Sequence, residues 1–367
     1  MKKELTHFIE KTEFFLSNLS LNNSFYQYKS SLEGNTTNGL NLKLGYSCFA
    51  LKIYYTLNLW ENLDLGQKKE WTDYINSFQQ TIQPYPENSF IDENLLKGYE
   101  SLPLEKRIKK FGKQTLNFLN LIRYDNDDLS RAITAESKQA IASLYQVGSQ
   151  NQKKYFGELL NENSLENSLL SLNWNRPWSA GAQFANQSLL NVTQLNNEKI
   201  NDTLYSLLGK LVHKENGFYY SGNLPSQTEL INGAMKILTG LEWLNMPIHY
   251  PEKLIDYCLS SNPNHEGCDL VDVVYVLYRS SLQTDYRKND ILDYFEKLYE
   301  IIFKHYYPET GGFSYYLNKS QIYYYGLYTS NGLNCPDIHG TVLLTWALSM
   351  MLNISEDEKY NWKVIKA

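Results

Sequence analysis

Apolar residues return every three to four positions along most of this chain, and few stretches alternate as strands do. The pattern predicts helices over residues 4–19, 44–60, 68–82, 104–122, 129–147 and 179–192. It continues through 200–213, 228–244, 251–259, 269–281, 290–305 and 337–352. The polar run 28–41 reads as a loop, and no stretch rich in Pro, Gly or Ser divides the helices. Residues 1–367 are therefore expected to form one all-α domain.

A repeat shows best within residues 171–353. Short glycine-marked turns recur in "ENGFYYSG", "HEGCD" and "TGGFSYY", with Gly217, Gly267 and Gly311 spaced 50 and then 44 residues apart. A helix follows each turn. "NGAMKILTGLEWL" from Asn232 and "HGTVLLTWALSMM" from His339 are apolar nearly all round, so both are expected to be buried on every side. They alternate with amphipathic helices such as "DILDYFEKLYEIIFKH". Paired helices at this period predict an α-hairpin array. Buried helices alternating with amphipathic ones favour an α/α toroid, with inner helices around a cavity, over an open solenoid.

Composition narrows the function. The chain is 43% hydrophobic and 20% charged, with a formal net charge of −6 and no basic block, which argues against nucleic acid. No apolar run approaches the ~18 residues of a membrane span. The N-terminal segment carries Glu4, Glu10, Lys11 and Glu13 where a signal peptide would be apolar, so a cytoplasmic location is expected. Cys48, Cys258, Cys268 and Cys335 are too dispersed for a disulfide framework. The 30 Tyr, 15 Phe and 7 Trp suit a cavity wall facing a sugar or an apolar chain, and equally a half-buried helix surface.

"GGFSYY" at 311–316, "LVDVVYVLY" at 270–278 and "DIHGTVLLTWALS" at 337–349 together resemble the terpenoid cyclase and protein prenyltransferase superfamily. The resemblance implies an α/α toroid and an isoprenoid ligand. It would put a zinc-ligand Asp at Asp272 and a zinc-ligand His at His339. The matching Cys position holds Val274, which has no donor atom, so no cofactor is expected and zinc only as a remote alternative. The acidic D-x-D-D motif of the protonation-initiated cyclases is absent.

Four residues are candidates for chemistry. Asp337 and His339 open an apolar helix and would relay a proton if they faced a cavity; otherwise they cap the helix. Asp269 and Asp272 lie three apart on one helix face, where neighbouring carboxylates would push one pKa up; the plainer reading is dipole compensation. Asp272 is the harder to explain structurally, because it interrupts an apolar run. Trp174, Arg176, Trp178 and Gln183 could form an aromatic, cationic mouth, while Ala180, Gly181 and Ala182 beside them allow close helix packing. Tyr219, Tyr315 and Tyr324 complete the candidate substrate surface. The expected activity is that of a cavity enzyme using carboxylate acid–base chemistry on an isoprenoid-like small molecule. The alternatives are a carbohydrate-active enzyme (hydrolase, lyase or epimerase) acting on a glycan, and a non-catalytic ligand- or partner-binding toroid.

Overall fold

The computed structural model describes residues 5, 7–101, 128–157, 162–355 and 360–367. The helix expected at 104–122 lies outside them. The described residues are predominantly helical, as the periodicity predicts, and the strands are two antiparallel pairs of two residues each, Gln79–Gln80 with Ser89–Phe90 and Tyr323–Tyr324 with Leu327–Tyr328.

The main helices are α1 (Phe8–Leu19), α2 (Leu44–Thr56), α3 (Leu65–Asn76), α4 (Asp128–Gln146), α5 (Glu162–Leu170) and α6 (Pro177–Leu190). They continue as α7 (Glu198–Leu211), α8 (Gln227–Leu244), α9 (Pro251–Leu259), α10 (Gly267–Ser281), α11 (Lys288–Phe303) and α12 (Ile338–Ile354). Their ends follow local chemistry. Asp64 accepts from the Gln67 amide and Gln67 answers to the Asp64 amide, so α3 begins earlier than the apolar period suggests. The run expected at 44–60 breaks after Thr56, where Asn58 takes a left-handed conformation that Asn tolerates. Neither α5 nor the short helix Glu93–Glu100 is predicted by the apolar period.

Packing separates two kinds of helix. Within α10, Asp269 through Tyr278 are all buried, and α12 is buried almost throughout. By contrast, α7, α9 and α11 bury one stripe each. In sequence order α2 lies against α4, α4 against α6, α6 against α8, α8 against α10 and α10 against α12; α12 in turn lies against α2. The closest pair is α6 with α8. A Cβ on Gly233 would stand 2.7 Å from Pro177 and one on Gly240 would stand 2.5 Å from Phe184, so glycines let the two run parallel at short range. The small-residue face at Ala180–Ala182 thus serves packing: Gly181 faces Ile237 and the Gly233 carbonyl.

The glycine turns are not all alike. In two of them the same hairpin forms: Gly217 donates to His213 and Gly311 donates to Tyr307, both at 2.7 Å, and both glycines have positive φ. Gly267 instead begins α10, where its bare Cα lets Tyr315 approach. The repeat read from three turns is therefore one hairpin used twice, with a helix start between.

Residues 360–367 cross the C-terminal ends of the buried helices. The Lys363 amide donates to Thr56, the Lys366 amide to Gln146, and the Trp243 indole to the Ala367 carbonyl oxygen at 2.6 Å. Lys366 also stands 4.4 Å over the Trp243 ring.

Candidate functional site

Asp269, Asp272, Asp337 and His339 lie at the N-terminal ends of α10 and α12, but the structure sorts them into different roles. Asp337 is fully buried at the N-cap of α12. One carboxylate oxygen accepts from the Gly340 amide at 2.7 Å, and the other from the Tyr315 amide at 2.7 Å and the Gln321 amide at 3.0 Å. Burial raises its pKa to about 6 against the pull of those donors. Asp337 therefore ties the 313–321 loop to α12, and its oxygens are filled by backbone amides, which is the capping alternative. Gly340 enables this knot, since a Cβ there would meet the Tyr315 nitrogen at 2.4 Å.

Asp269 is held too, accepting from Asn232 and Asn264, each at 2.9 Å, at a shallow surface pocket that Gln227 and Asn262 also border. Asp272 lies one turn on and differs. It is 4% exposed, and no side-chain hydrogen bond or ion pair reaches it among the described residues. Burial raises its pKa to about 7; Lys236 pulls it down and Asp269 pushes it up. The neighbouring carboxylate thus acts as expected, but burial is the larger cause.

His339 sits in the first turn of α12, with its ring stacked on Phe49 at 4.6 Å and Tyr315 5.3 Å away. Its Nδ1 is buried and has no hydrogen-bond partner among the described residues. Burial, then Lys236 and Lys52, lower its pKa to about 3, so it is neutral at physiological pH. The Cys268 thiol nearby is pushed up to about 12, chiefly by burial, and is not a ready thiolate.

Three lysines join this group, none of which the apolar pattern had singled out. Lys52 on α2, Lys138 on α4 and Lys236 on α8 are each half-buried. Among the described residues none has an ion pair or a side-chain hydrogen bond. Burial lowers Lys52 to about 8 and Lys138 to about 7; Lys236 adds to the fall in both, and Lys52 adds to that of Lys138. Side chains from α2, α4, α8, α10 and α12 are therefore close enough to feel one another's charge. The signal was available. Lys52 in "CFALKIYY" and Lys236 in "GAMKILTG" interrupt apolar runs as Asp272 does.

A second acid, Glu136 on α4, is 2% exposed and accepts from the Tyr324 hydroxyl. Burial raises its pKa to about 8, opposed by that hydrogen bond. Tyr324, expected on the substrate surface, is an interior residue whose hydroxyl is engaged by protein. Tyr315 is 7% exposed beside His339.

Trp174 is 1% exposed and donates to the Leu169 carbonyl at 2.8 Å, so it is a core residue and not a substrate platform. Arg176 is exposed and Gln183 half-buried. Trp178 is 53% exposed, and its amide donates to Glu229 of α8 at 3.0 Å. Tyr219 is buried and meets His249 at 3.1 Å, beside Tyr205 of α7, which places it between one-sided helices and not at the centre. Arg279 pairs with Glu242 of α8 at 2.9 Å, and Tyr275 reaches the same carboxylate at 2.7 Å, so that cation locks α8 to α10. Val274, at the position where the resemblance would put a zinc Cys, is core.

Among the described residues no three His, Cys, Asp or Glu side chains are grouped to hold a metal ion, and no helix is long and apolar enough to cross a membrane. Comparison of the chain with protein-family models, with curated proteins and with solved structures finds no match.

Proposed function

We propose that α2, α4, α6, α8, α10 and α12 form the inner wall of an α/α toroid, and that the space they enclose is an active site in which Asp272 exchanges a proton with a small-molecule substrate. The order of helix contacts and the packing of α12 on α2 support the ring. The observation that carries the catalytic reading is the state of Asp272: a buried carboxyl with no hydrogen-bond partner among the described residues, poised near pH 7 by its burial. Buried carboxyls are ordinarily satisfied by protein donors. One that is not, with a pKa near the working pH, is suited to act as a general acid or base. His339, neutral and stacked between aromatic rings, would shape the wall and not carry charge. The sequence resemblance directs the first substrate panel to isoprenoids.

The test is turnover of linear and allylic isoprenoids, with oligosaccharides as a second panel, read by mass spectrometry for wild type and Asp272→Asn. The expected result is product from the isoprenoid panel, lost by at least about a hundredfold in the variant, the scale of a removed general acid. Equal turnover by the variant would overturn the role of Asp272. Turnover of glycans alone would overturn the isoprenoid assignment, and binding without turnover would make the chain a binding toroid.

A further inference from the structure

We infer that residues 360–367 are a latch lying across one mouth of the helix ring, at the C-terminal ends of its helices, so that a ligand reaches Asp272 from the opposite end. The inference rests on the ring of the proposed function and on no step of its chemistry.

Within 360–367, Trp362 and Ile365 are the buried anchors, and Trp362 packs on Phe8 of α1 with ring centroids 5.1 Å apart. The Lys363 amide donates to the carbonyl of Thr56, the closing residue of α2, at 2.9 Å, and Asn58 donates to the Asn361 carbonyl. The Lys366 amide donates to Gln146, the closing residue of α4, at 2.6 Å, and Trp243 of α8 donates to the Ala367 carbonyl at 2.6 Å. Positions 363–367 thus touch the ends of α2, α4 and α8. A chain of that length reaches at most about 17 Å. Packed helices stand about 8–10 Å apart, so opposite members of a six-helix ring are about 16–20 Å apart. In the order of helix contacts α2 and α8 are opposite members. The reach of the strap therefore matches the diameter of the ring and exceeds the spacing of neighbours.

The buried helices end on the same side. Arg279 near the end of α10 pairs with Glu242 near the end of α8 at 2.9 Å, and the Tyr278 hydroxyl reaches Asn353 near the end of α12 at 3.2 Å. Helix carbonyls without intrahelical partners gather there, and with them the negative ends of the helix dipoles. Amides and cations suit that setting, and the strap supplies both. Its Lys363 ammonium also pairs with Glu61 at 2.7 Å, and its Lys366 ammonium stands 4.4 Å over the Trp243 ring. Asp272 and His339 lie toward the other ends of α10 and α12. The latch thus shuts the mouth remote from the acid.

The experiment is hydroxyl-radical footprinting of the full chain, with each tryptophan resolved by mass spectrometry. Trp243 lies under the strap. Trp346 lies deeper, 5.2 Å from Tyr275, whose hydroxyl meets Glu242. Trp174, 1% exposed and bonded to Leu169, reports general unfolding. Ile365→Asp places a charge at a buried anchor and should release the strap, raising oxidation of Trp243 and Trp346 by about fivefold or more and leaving Trp174 unchanged. Lys366→Gln keeps the backbone donor and removes the ammonium, so it should raise both by about twofold, and it decides the matter if Ile365→Asp fails to fold. A rise at Trp243 alone would show no opening beneath the strap, and no rise at either would show no cover. Both results overturn the inference, the first through the ring and the second through the strap. An equal rise at Trp174 in Lys366→Gln would overturn it too, by making the strap a general stabiliser. Asp272→Asn should oxidise as wild type does, so failure of the catalytic reading leaves the latch standing.

Discussion

Asp272 and Asp337 invite comparison, because each is a buried aspartate near the N-terminus of an all-round buried helix, α10 or α12. Their partners set them apart. Asp337 accepts three backbone hydrogen bonds, whereas Asp272 has none among the described residues and looks instead toward Lys236. Burial raises both pKa values, to about 6 and about 7, so neither burial nor titration separates a structural acid from a working one. Hydrogen bonding does. A carboxylate filled by backbone donors is part of the fold, and an unfilled one is free for a substrate.

The hardest blow to this contrast comes from truncating Asp337. Asp337→Ala orphans the amides of Gly340, Tyr315 and Gln321 in a buried setting, and each unsatisfied group costs on the order of 1–3 kcal/mol. With partial relaxation the expected loss is about 3–5 kcal/mol, measured by urea denaturation. A loss under about 1 kcal/mol would remove the structural assignment.

Lys138→Met should shift stability the other way. The folded pKa of Lys138 is lowered, so wild type bears the cost of a buried charge fully below about pH 7 and sheds it as pH climbs toward the ordinary lysine range. The variant should be more stable by about 1–3 kcal/mol at pH 7, after discounting for solvent access, with the gain vanishing near pH 10. Unfolding followed across that range checks it; a gain independent of pH would point to packing alone.

Asp272→Asn should have the smallest effect on stability. An acid whose folded pKa is raised costs nothing while protonated in both states, and its full penalty appears only above about pH 7. The variant should match wild type near pH 4 and gain about 1 kcal/mol by pH 8, part of the benefit being lost with the attraction to Lys236. A fall of several kcal/mol would put Asp272 in the same class as Asp337.

How far the sequence revealed these roles depends on the range of the interaction involved. Helix α9 was legible to the residue, since Pro251 at its first turn and an apolar stripe to Leu259 are local signals. The ends of α2 and α3 were misplaced where a left-handed Asn and a capping box outweighed periodicity. Asp272 stood out as a charge in an apolar run, and the same test, had it been applied throughout, would have selected Lys52 and Lys236. The burial of Trp174 and Tyr219 against protein partners is not legible in the sequence, because an aromatic residue reads alike whether it faces a ligand or the core; only its neighbours decide.

What the sequence determined by itself is the helical class and the run of fully apolar helices among one-sided ones. Each of these is written within a few turns of one helix, where backbone geometry fixes which residues are neighbours. The tertiary structure alone decided that the charge of Lys236 acts on the carboxyl at 272 and the imidazole at 339, and that Lys52 acts on the same imidazole and on Lys138. Coulomb and desolvation energies depend on distance through space, and five helices drawn from almost the whole chain must pack before those distances exist.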